Sequence, residues 1–564
     1  MRQSKFLSAA LLAAAAIVAT PAVNAATVVK VLGSGSSAMW QTAGLGAYSL
    51  AGAGAAHYTV KGSCPTNGNC AQIHDSRSAS ILNETGNLWI VWNSAQTEVW
   101  VYISVDSVVG NRSYFATPRT TLQLDPETET PGGVPSSQTN LISSNLWGLD
   151  ATAIPSAVYT ALNNASVTTA FTDIRPEDAK FANCRTLNQL NTTNYSGLGY
   201  GTGTTCATLI GTQIFSDFSS AVANPVNFNI KGTDPFTHDA IPAYTTIDVG
   251  AAPIVFLVNR TNDNGLGYGL PTAPAITDLE VSNAQSVFTG GAACDTNALA
   301  NGTNVVPPTD APIHVIQREP MSGTMNTTEF TVFRCGKTTG GCSITGNTEN
   351  KSQESGVNPP AGGANNPLNL PCGPLAGTRQ RAVGTGDLVG TGILNTTDSI
   401  GYAFFSYGNV SKIAGTPSYG YLTLAGVDPI QATYTNGELP VCVSGTGQSG
   451  VCPATPGASF PNLRSGAYKS WSVLRVVTNA SGTNLTNTNA LVNAIEANVN
   501  NTVPDFVPFK AISGDPGLQL YRSHYLQSGV SPNNGLSGQH EAGGDMGGCI
   551  ENKGPAPGVL SCHQ

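Results

Sequence analysis

Arg318-Glu319-Pro320-Met321-Ser322-Gly323-Thr324 is the stretch of this chain that does most to decide its fold. Residues 313–316 precede it, and their apolar, β-branched character predicts a strand that ends near Arg318. Residues 325–334 can continue as a helix. A strand, a Ser-Gly-Thr turn and a helix start together point backbone N–H groups at an anion. The planar guanidinium of Arg318 matches two oxygens of a phosphate or carboxylate. Taken alone, the stretch fits a capped helix with a surface Arg equally well.

A second strand-to-helix turn near the start of the chain favours the interpretation that these turns bind an anion. Val29-Lys30-Val31-Leu32 reads as a strand, Gly33-Ser34-Gly35-Ser36-Ser37 as the turn after it, and residues 39–47 as a helix. Two Gly/Ser-rich turns of this kind, far apart in sequence, suggest an oxyanion held between two lobes. Ser36 and Ser37 would supply hydroxyl groups from the first turn.

The remaining pattern alternates strands with helices, which predicts an α/β fold. The predicted strands are Leu88–Trp92, Glu98–Ile103, Pro253–Asn259 and Ser399–Phe405, and the predicted helices are Ala157–Asn164, Ser470–Val477 and Thr488–Val499. Residues 125–145 and 335–380 are rich in Pro, Gly, Asn and Ser and are expected to be loops.

The first 25 residues have the pattern of a secretory signal. Arg2 and Lys5 form a basic start, an apolar core follows, and Val23-Asn24-Ala25 is a small-residue cleavage site. No later stretch reaches the length of a transmembrane helix. We therefore expect a secreted protein, periplasmic or extracellular, whose mature part begins at residue 26 and has no membrane span.

Charge and cysteine content further limit the class of protein to which this chain can belong. The formal net charge of −9 is mildly acidic, which argues against a nucleic-acid partner. Twelve Cys in an exported chain indicate disulfide bonds. Proximity suggests five pairs: 64 with 70, 184 with 206, 335 with 342, 442 with 452, and 549 with 562. Cys294 and Cys372 would then be left for each other. The Cys and His residues lack the spacing of a metal site, so no metal or cofactor is expected.

In this order, the segments resemble the phosphate-binding receptor of the bacterial phosphate ABC importer, within the type 2 periplasmic binding proteins. The turn at 33–37, the turn at Val105–Gly110, an acidic turn at Asp173, Arg318 with Ser322-Gly323-Thr324, and an Ile400-Gly401-Tyr402 strand carry the resemblance. It covers about half of the chain. The ligand-binding residues that it implies are Ser36, Ser37, Ser107, Asp173, Arg318, Ser322, Gly323 and Thr324.

The resemblance also implies a two-lobe α/β architecture with two hinge crossings and large loop insertions. Lobe 1 would comprise residues 26–252, lobe 2 residues 253–402, and residues 403–564 would return to lobe 1 and form the C-terminal helices and tail. The hinge would lie near Ala251–Ile254 and Ile400–Ala403.

Two departures from the family pattern bear on selectivity. The family has an Asp two residues after the Arg, where this chain has Pro320, and Ile174 and Arg175 follow Asp173 in the acidic turn. In the family an acidic group accepts the proton of a protonated phosphate, which helps to reject sulfate. Selectivity here would depend on whether Asp173 faces the ligand.

The resemblance implies a solute-binding protein, not an enzyme, that delivers phosphate or a related oxyanion to a membrane ABC permease. An alternative is an extracellular surface or matrix protein that reuses the fold as a scaffold. The large polar insertions, the low charge and Pro320 motivate that alternative. A secreted phosphatase ranks last, because the sequence supplies no convincing nucleophile or metal set.

Overall fold

The structure is a computed structural model. It describes residues 26–60, 72–75, 82–124, 154–179, 228–234, 237–262, 265–267, 276–288, 294, 310–318, 322–333, 368–372, 374–382, 384–410, 413, 418–434, 437, 442–443, 449–450, 457–501, 505–522, 549–552 and 559–562. The expected signal segment, residues 1–25, and the expected loop at residues 125–145 lie outside the described residues.

The described strands are β1 (Val28–Gly35), β2 (Ala56–Val60), β3 (Gln72–Asp75), β4 (Leu82–Thr85), β5 (Asn87–Trp92), β6 (Glu98–Ser104), β7 (Thr121–Gln123), β8 (Thr169–Thr172), β9 (Tyr244–Asn259), β10 (Asp278–Leu279), β11 (His314–Arg318), β12 (Leu368–Cys372), β13 (Leu375–Ala382), β14 (Ser399–Phe404), β15 (Tyr419–Leu424), β16 (Cys442–Val443), β17 (Ser449–Gly450), β18 (Trp471–Asn479), β19 (Val507–Pro508), β20 (Leu520–Arg522), β21 (Cys549–Asn552) and β22 (Val559–Cys562).

The described α-helices are α1 (Trp40–Ala51), α2 (Ser107–Phe115), α3 (Ser156–Leu162), α4 (Val281–Phe288), α5 (Gly323–Thr328), α6 (Gly384–Asp387), α7 (Tyr407–Val410), α8 (Pro461–Arg464) and α9 (Thr483–Asn501). Short 3₁₀ turns occur at Ser37–Met39 and Ile393–Asn395. The helices α5 and α6 continue as π-helical turns at Glu329–Phe333 and Leu388–Gly392.

One large mixed sheet organises the molecule, in the order β12-β13-β11-β14-β9-β18-β8-β1-β6-β5-β2. The expected α/β class is confirmed. On one side of β9, the first strand group (β18, β8, β1, β6, β5 and β2) contains the parallel neighbours β8, β1 and β6. On the other side, the second strand group (β14, β11, β13 and β12) contains the parallel neighbours β14, β11 and β13.

The long strand β9 connects the two groups, and its register brings their strand ends together. Residues 244–253 of β9 pair with β18, and residues 254–259 pair with β14. The last residue of β14 pairs with Ile254, and β8 runs antiparallel to β18 so that its end lies toward Trp471, the partner of Pro253. The carboxyl ends of β8, β1 and β6 and those of β14, β11 and β13 therefore all point toward the middle of β9.

Helices α1 and α9 pack against each other and cover part of the first strand group. Gly46 lies so close to α9 that a Cβ there would come within 2.8 Å of the side chain of Ile495. Ala43 and Ala47 of α1 and Leu491 and Ile495 of α9 are buried in the same apolar core. Small residues on α1 thus permit the close approach that holds α9 near the sheet.

Most of the predicted elements are confirmed, and two predictions are wrong. The expected helix Ser470–Val477 is a strand, β18. Trp471, Leu474 and Val477 repeat at a helical spacing, but β18 lies in the middle of the sheet, where every residue from Trp471 to Thr478 is buried. The expected loop 335–380 contains strand β12 and most of strand β13, and its residues 335–367 lie outside the described residues.

The cysteine pairing is confirmed at one position. Cys294 and Cys372 form a disulfide bond that links residues 78 positions apart. Cys549 and Cys562 are register partners in the β21–β22 pair. The other four suggested pairs each include a residue outside the described ones. Within the described ranges, no helix has the length and hydropathy to cross a membrane.

Candidate functional site

The candidate site lies where the strand ends of the two groups converge. The turns after β1, β6 and β8 bring Ser37, Ser107 and Asp173 from the first group. The end of β11 and the start of α5 bring Arg318 and Thr324 from the second. Ligands in open α/β sheets bind at the carboxyl ends of strands, so this is the position expected for a binding site.

Arg318 is the centre of the cluster. Its side chain is 1% exposed, and its Nη2 donates to Oδ1 of Asp106 at 2.5 Å. Its Nη1 donates to the hydroxyl oxygens of Thr324 at 3.2 Å and Thr385 at 3.4 Å. A guanidinium is costly to bury unless it is paired and hydrogen-bonded, and these three partners meet that requirement.

Asp173 is linked to Arg318 through the hydroxyl of Thr324, which bonds to both side chains. The hydroxyl of Ser107 donates a short hydrogen bond to Oδ1 of Asp173, and the hydroxyl of Thr324 donates to Oδ2 at 3.3 Å. The backbone carbonyl of Asp173 accepts from the hydroxyl of Ser472 in β18 at 2.7 Å. The carboxylate is thus fixed by one hydroxyl from each strand group.

Burial raises the pKa of Asp173 above its ordinary value. The hydrogen bond from Ser107 and the charge of Arg318 act in the opposite direction, and the nearby charge of Asp106 adds to the increase. Desolvation is the largest of these causes, because the side chain is almost completely removed from water. Asp173 therefore takes up a proton at a higher pH than an exposed Asp.

Ser37 joins the cluster through the start of α6. Its Oγ accepts from the backbone N–H of Thr385 at 3.2 Å and lies 3.1 Å from the hydroxyl of Thr385. Ser36 does not join it through its side chain, since its Oγ accepts from the N–H of Ala38 at 3.2 Å. The carbonyl of Ser36 accepts from the hydroxyl of Tyr102 at 2.5 Å, which holds the turn in place.

Ser322 and Gly323 shape the start of α5. The hydroxyl of Ser322 accepts from the N–H of Met325 at 3.4 Å, which is the position of a helix cap. A Cβ at Gly323 would lie 1.6 Å from Oδ1 of Asp173 and 2.8 Å from Oγ of Ser107. Only glycine permits this approach, so Gly323 brings the second strand group into contact with the first.

The structure thus brings six of the eight expected residues together: Ser37, Ser107, Asp173, Arg318, Gly323 and Thr324. The two remaining residues, Ser36 and Ser322, lie beside the cluster, and their hydroxyls bond to nearby backbone N–H groups.

Sequence reasoning missed two residues of the cluster, Asp106 and Thr385. Asp106 precedes α2 and has the type and position of a helix cap, but its side chain makes no cap hydrogen bond and pairs with Arg318 instead. Thr385 lies in the short helix α6, after strand β13. The parallel register of β11 and β13 pairs Arg318 with Ala382 and so places Thr385 nearby.

The cluster offers oxygen and nitrogen atoms for hydrogen bonding, and its described residues form no metal site. Among the described residues, no group of three or more His, Cys, Asp or Glu side chains could hold a metal ion. The chemistry available in the cluster is hydrogen bonding by one guanidinium, several hydroxyls and two carboxylates.

Comparison with known proteins found solved structures that resemble this chain distantly. No protein-family model and no curated protein match this chain. A solved phosphate ABC transporter substrate-binding protein from Clostridium perfringens, with bound phosphate, is 18% identical with a TM-score of 0.25. That match covers 45% of this chain and 65% of the other, so this chain spans less than two thirds of that protein.

Two further solved structures match over more of the chain. A phosphate-binding protein from Stenotrophomonas maltophilia is 12% identical with a TM-score of 0.31, covering 84% of this chain and 93% of that protein. A human phosphate-binding apolipoprotein is 13% identical with a TM-score of 0.32, covering 85% and 90%. Similarity at this level identifies no family for the chain.

Proposed function

We propose that this protein is a secreted solute-binding protein that binds phosphate or a related small oxyanion at the Arg318 cluster. The observation that carries the proposal is the fully buried guanidinium of Arg318, which contacts two hydroxyl groups from the second strand group and one carboxylate from the first. Charge-assisted hydrogen bonds from a guanidinium are among the strongest that a protein offers to an oxyanion. The start of α2 at Ser107 adds N–H groups and a favourable helix dipole.

Delivery of the anion to a membrane ABC permease belongs to the same proposal, as does the division into lobes. Lobe 1 would hold residues 26–252 and 403–564, and lobe 2 residues 253–402, with the crossing near Pro253 of β9. The register of β9, which changes partner from β18 to β14 between Pro253 and Ile254, supports that position for the crossing.

Arg318→Lys tests the binding function more cleanly than Arg318→Ala. Lysine keeps the positive charge beside Asp106 but cannot reach Thr324 and Thr385 with a planar fork. Alanine would leave Asp106 buried without its cation, which costs roughly 3–5 kcal/mol of stability and would confuse binding with folding. We expect Arg318→Lys to fold and to bind phosphate at least about tenfold more weakly than wild type, since one lost charge-assisted hydrogen bond corresponds to 1.5–3 kcal/mol.

The measurement is isothermal titration of the mature protein with phosphate, arsenate and sulfate, supported by thermal unfolding. A ligand at about a hundred times its Kd stabilises the fold by roughly 2.7 kcal/mol. Arg464→Lys is the matched control, because Arg464 forms an ion pair with Asp515 at 2.7 Å outside the cluster. Wild-type affinity in Arg318→Lys would contradict the assignment of Arg318 to the ligand.

A scaffold protein without tight anion binding is the second candidate, and the closed hydrogen bonding of the cluster favours it. Arg318 pairs with Asp106, Ser107 with Asp173, and Ser37 with Thr385, so the cluster residues bind one another. The scaffold candidate predicts no thermal response to any of the three oxyanions. It also predicts self-association of the mature protein, which sedimentation velocity at several concentrations would detect.

A further inference from the structure

The ion pair between Asp106 and Arg318 joins residues 212 positions apart and crosses from one strand group to the other. Their side chains are 3% and 1% exposed. Position 320, two residues after the Arg, is Pro and cannot provide a carboxylate. Asp106 from the first strand group provides one to Arg318 instead.

The pair leaves hydrogen-bonding capacity on both partners. Within the described part of the chain, Nε of Arg318 and Oδ2 of Asp106 are buried and have no hydrogen-bond partner. A planar guanidinium and a carboxylate can share two parallel hydrogen bonds, but here they share one. One N–H of Arg318 is therefore still available to an incoming acceptor.

The carboxylates of the cluster oppose the binding of an anion. Arg318 is its one cation among the described residues, and both Asp106 and Asp173 interact with it. An oxyanion that binds Arg318 must approach a guanidinium whose charge is already balanced by Asp106. Because the site is buried, the repulsion between the two anions is screened only weakly by solvent.

We propose that Asp106 competes with the bound oxyanion for Arg318 and thereby sets how tightly the protein binds anions. This inference rests on the proposed function. Asp106 determines affinity by holding the guanidinium, and the ligand binds by sharing Arg318 or displacing the carboxylate from it. Removal of the Asp106 charge leaves a buried cation that an external oxyanion can neutralise.

The test compares wild type with Asp106→Asn in a buffer free of oxyanions. Inorganic phosphate and sulfate are titrated by calorimetry, and thermal unfolding is recorded with and without each anion. We expect Asp106→Asn to bind at least one of them at least about tenfold more tightly than wild type, because close buried charge pairs are coupled by more than 1.4 kcal/mol. We also expect its melting temperature to fall without oxyanion and to recover on its addition.

Asp515→Asn is the matched control, since the buried Asp515 forms an ion pair at 2.7 Å with the partly buried Arg464, and the variant removes its negative charge. It should lose stability whether or not oxyanion is present. The double variant Asp106→Asn/Arg318→Met removes both charges of the cluster pair. It should fold in the absence of oxyanion and show no anion response, even if Asp106→Asn alone can be purified only in phosphate.

The outcomes separate this inference from the proposed function. Wild-type binding without a gain in Asp106→Asn overturns the competition and leaves the anion-binding function standing. Binding by Asp106→Asn alone supports the competition and favours the scaffold candidate for the wild-type protein. If neither protein binds an oxyanion in calorimetry and neither is stabilised by one in thermal unfolding, both proposals are overturned.

Discussion

Gly323→Ala is the smallest change that tests whether the two strand groups meet as described. The added Cβ would lie 1.6 Å from Oδ1 of Asp173 and 2.8 Å from Oγ of Ser107, both too close for a methyl carbon and a non-bonded oxygen. Asp173 cannot turn aside freely, because Ser107 and Thr324 both hydrogen-bond to its carboxylate. The start of α5 must therefore move away from the first strand group.

The expected loss of stability follows from three contributions. Overpacking in a buried site costs about 1–3 kcal/mol. Loss of the hydrogen bond from Thr324 to Asp173 costs about 1 kcal/mol more. Replacing glycine in a helix returns at most about 1 kcal/mol. The free energy of unfolding should therefore fall by roughly 1–3 kcal/mol, and phosphate affinity should fall with it because Thr324 moves relative to Arg318.

Urea denaturation measures the stability and calorimetric titration with phosphate measures the affinity. Gly386→Ala is the control, because it lies next to Thr385 in α6 and its Cβ would meet no atom nearer than 3.7 Å. It should leave the phosphate affinity at the wild-type value and raise the stability by at most about 1 kcal/mol, the gain expected when alanine replaces glycine in a helix. If Gly323→Ala proves as stable as wild type, the contact between α5 and Asp173 is not as the structure has it.

Two further predictions concern stability outside the cluster. Burial raises the pKa of Glu496 to about 7, against a smaller opposing effect of Lys510. The folded protein therefore binds a proton at Glu496 more tightly than the unfolded chain does. The stability that this proton contributes is complete below pH 4.5 and is lost as pH rises through about 7. Glu496→Gln should flatten the stability profile from urea denaturation in that range, and an unchanged slope would contradict it. Replacing Cys294 and Cys372 by Ser opens a link across 78 residues, which should cost about 2–4 kcal/mol of stability in the same assay, whereas an equally stable variant would show that the link does not constrain the unfolded chain.

Local sequence predicted those parts of the site that depend on one strand and the turn after it. Arg318 lies at a strand end, and the Ser-Gly-Thr segment after it leads into a helix, as the residue types indicated. Such turns are encoded by neighbours in sequence, through β-branched runs followed by Gly and Ser. The α/β class followed from the same alternation.

The pairing of Arg318 could not be predicted in that way. Asp106 looks like a helix cap, and nothing near it in sequence indicates a partner 212 residues away. Asp106 meets Arg318 because β9 pairs with both strand groups, and the carboxyl ends of the parallel strands in each group point toward its middle. The same limit explains Ser470–Val477, whose apolar spacing fits a helix although its central place in the sheet makes it a strand.

The origin of the cluster residues links anion binding to the stability of the whole sheet. Asp106 and Asp173 belong to the first strand group, and Arg318 and Thr324 to the second, so the hydrogen bonds that would hold a ligand also hold the groups together. A ligand that bridges the groups must stabilise the fold, by the linkage between binding and unfolding. A protein that used the cluster only as a scaffold would gain no stability from oxyanions, yet it would still lose stability on Gly323→Ala. The two candidates therefore agree on the effect of Gly323→Ala on folding and disagree on the effect of phosphate, so the second measurement decides between them.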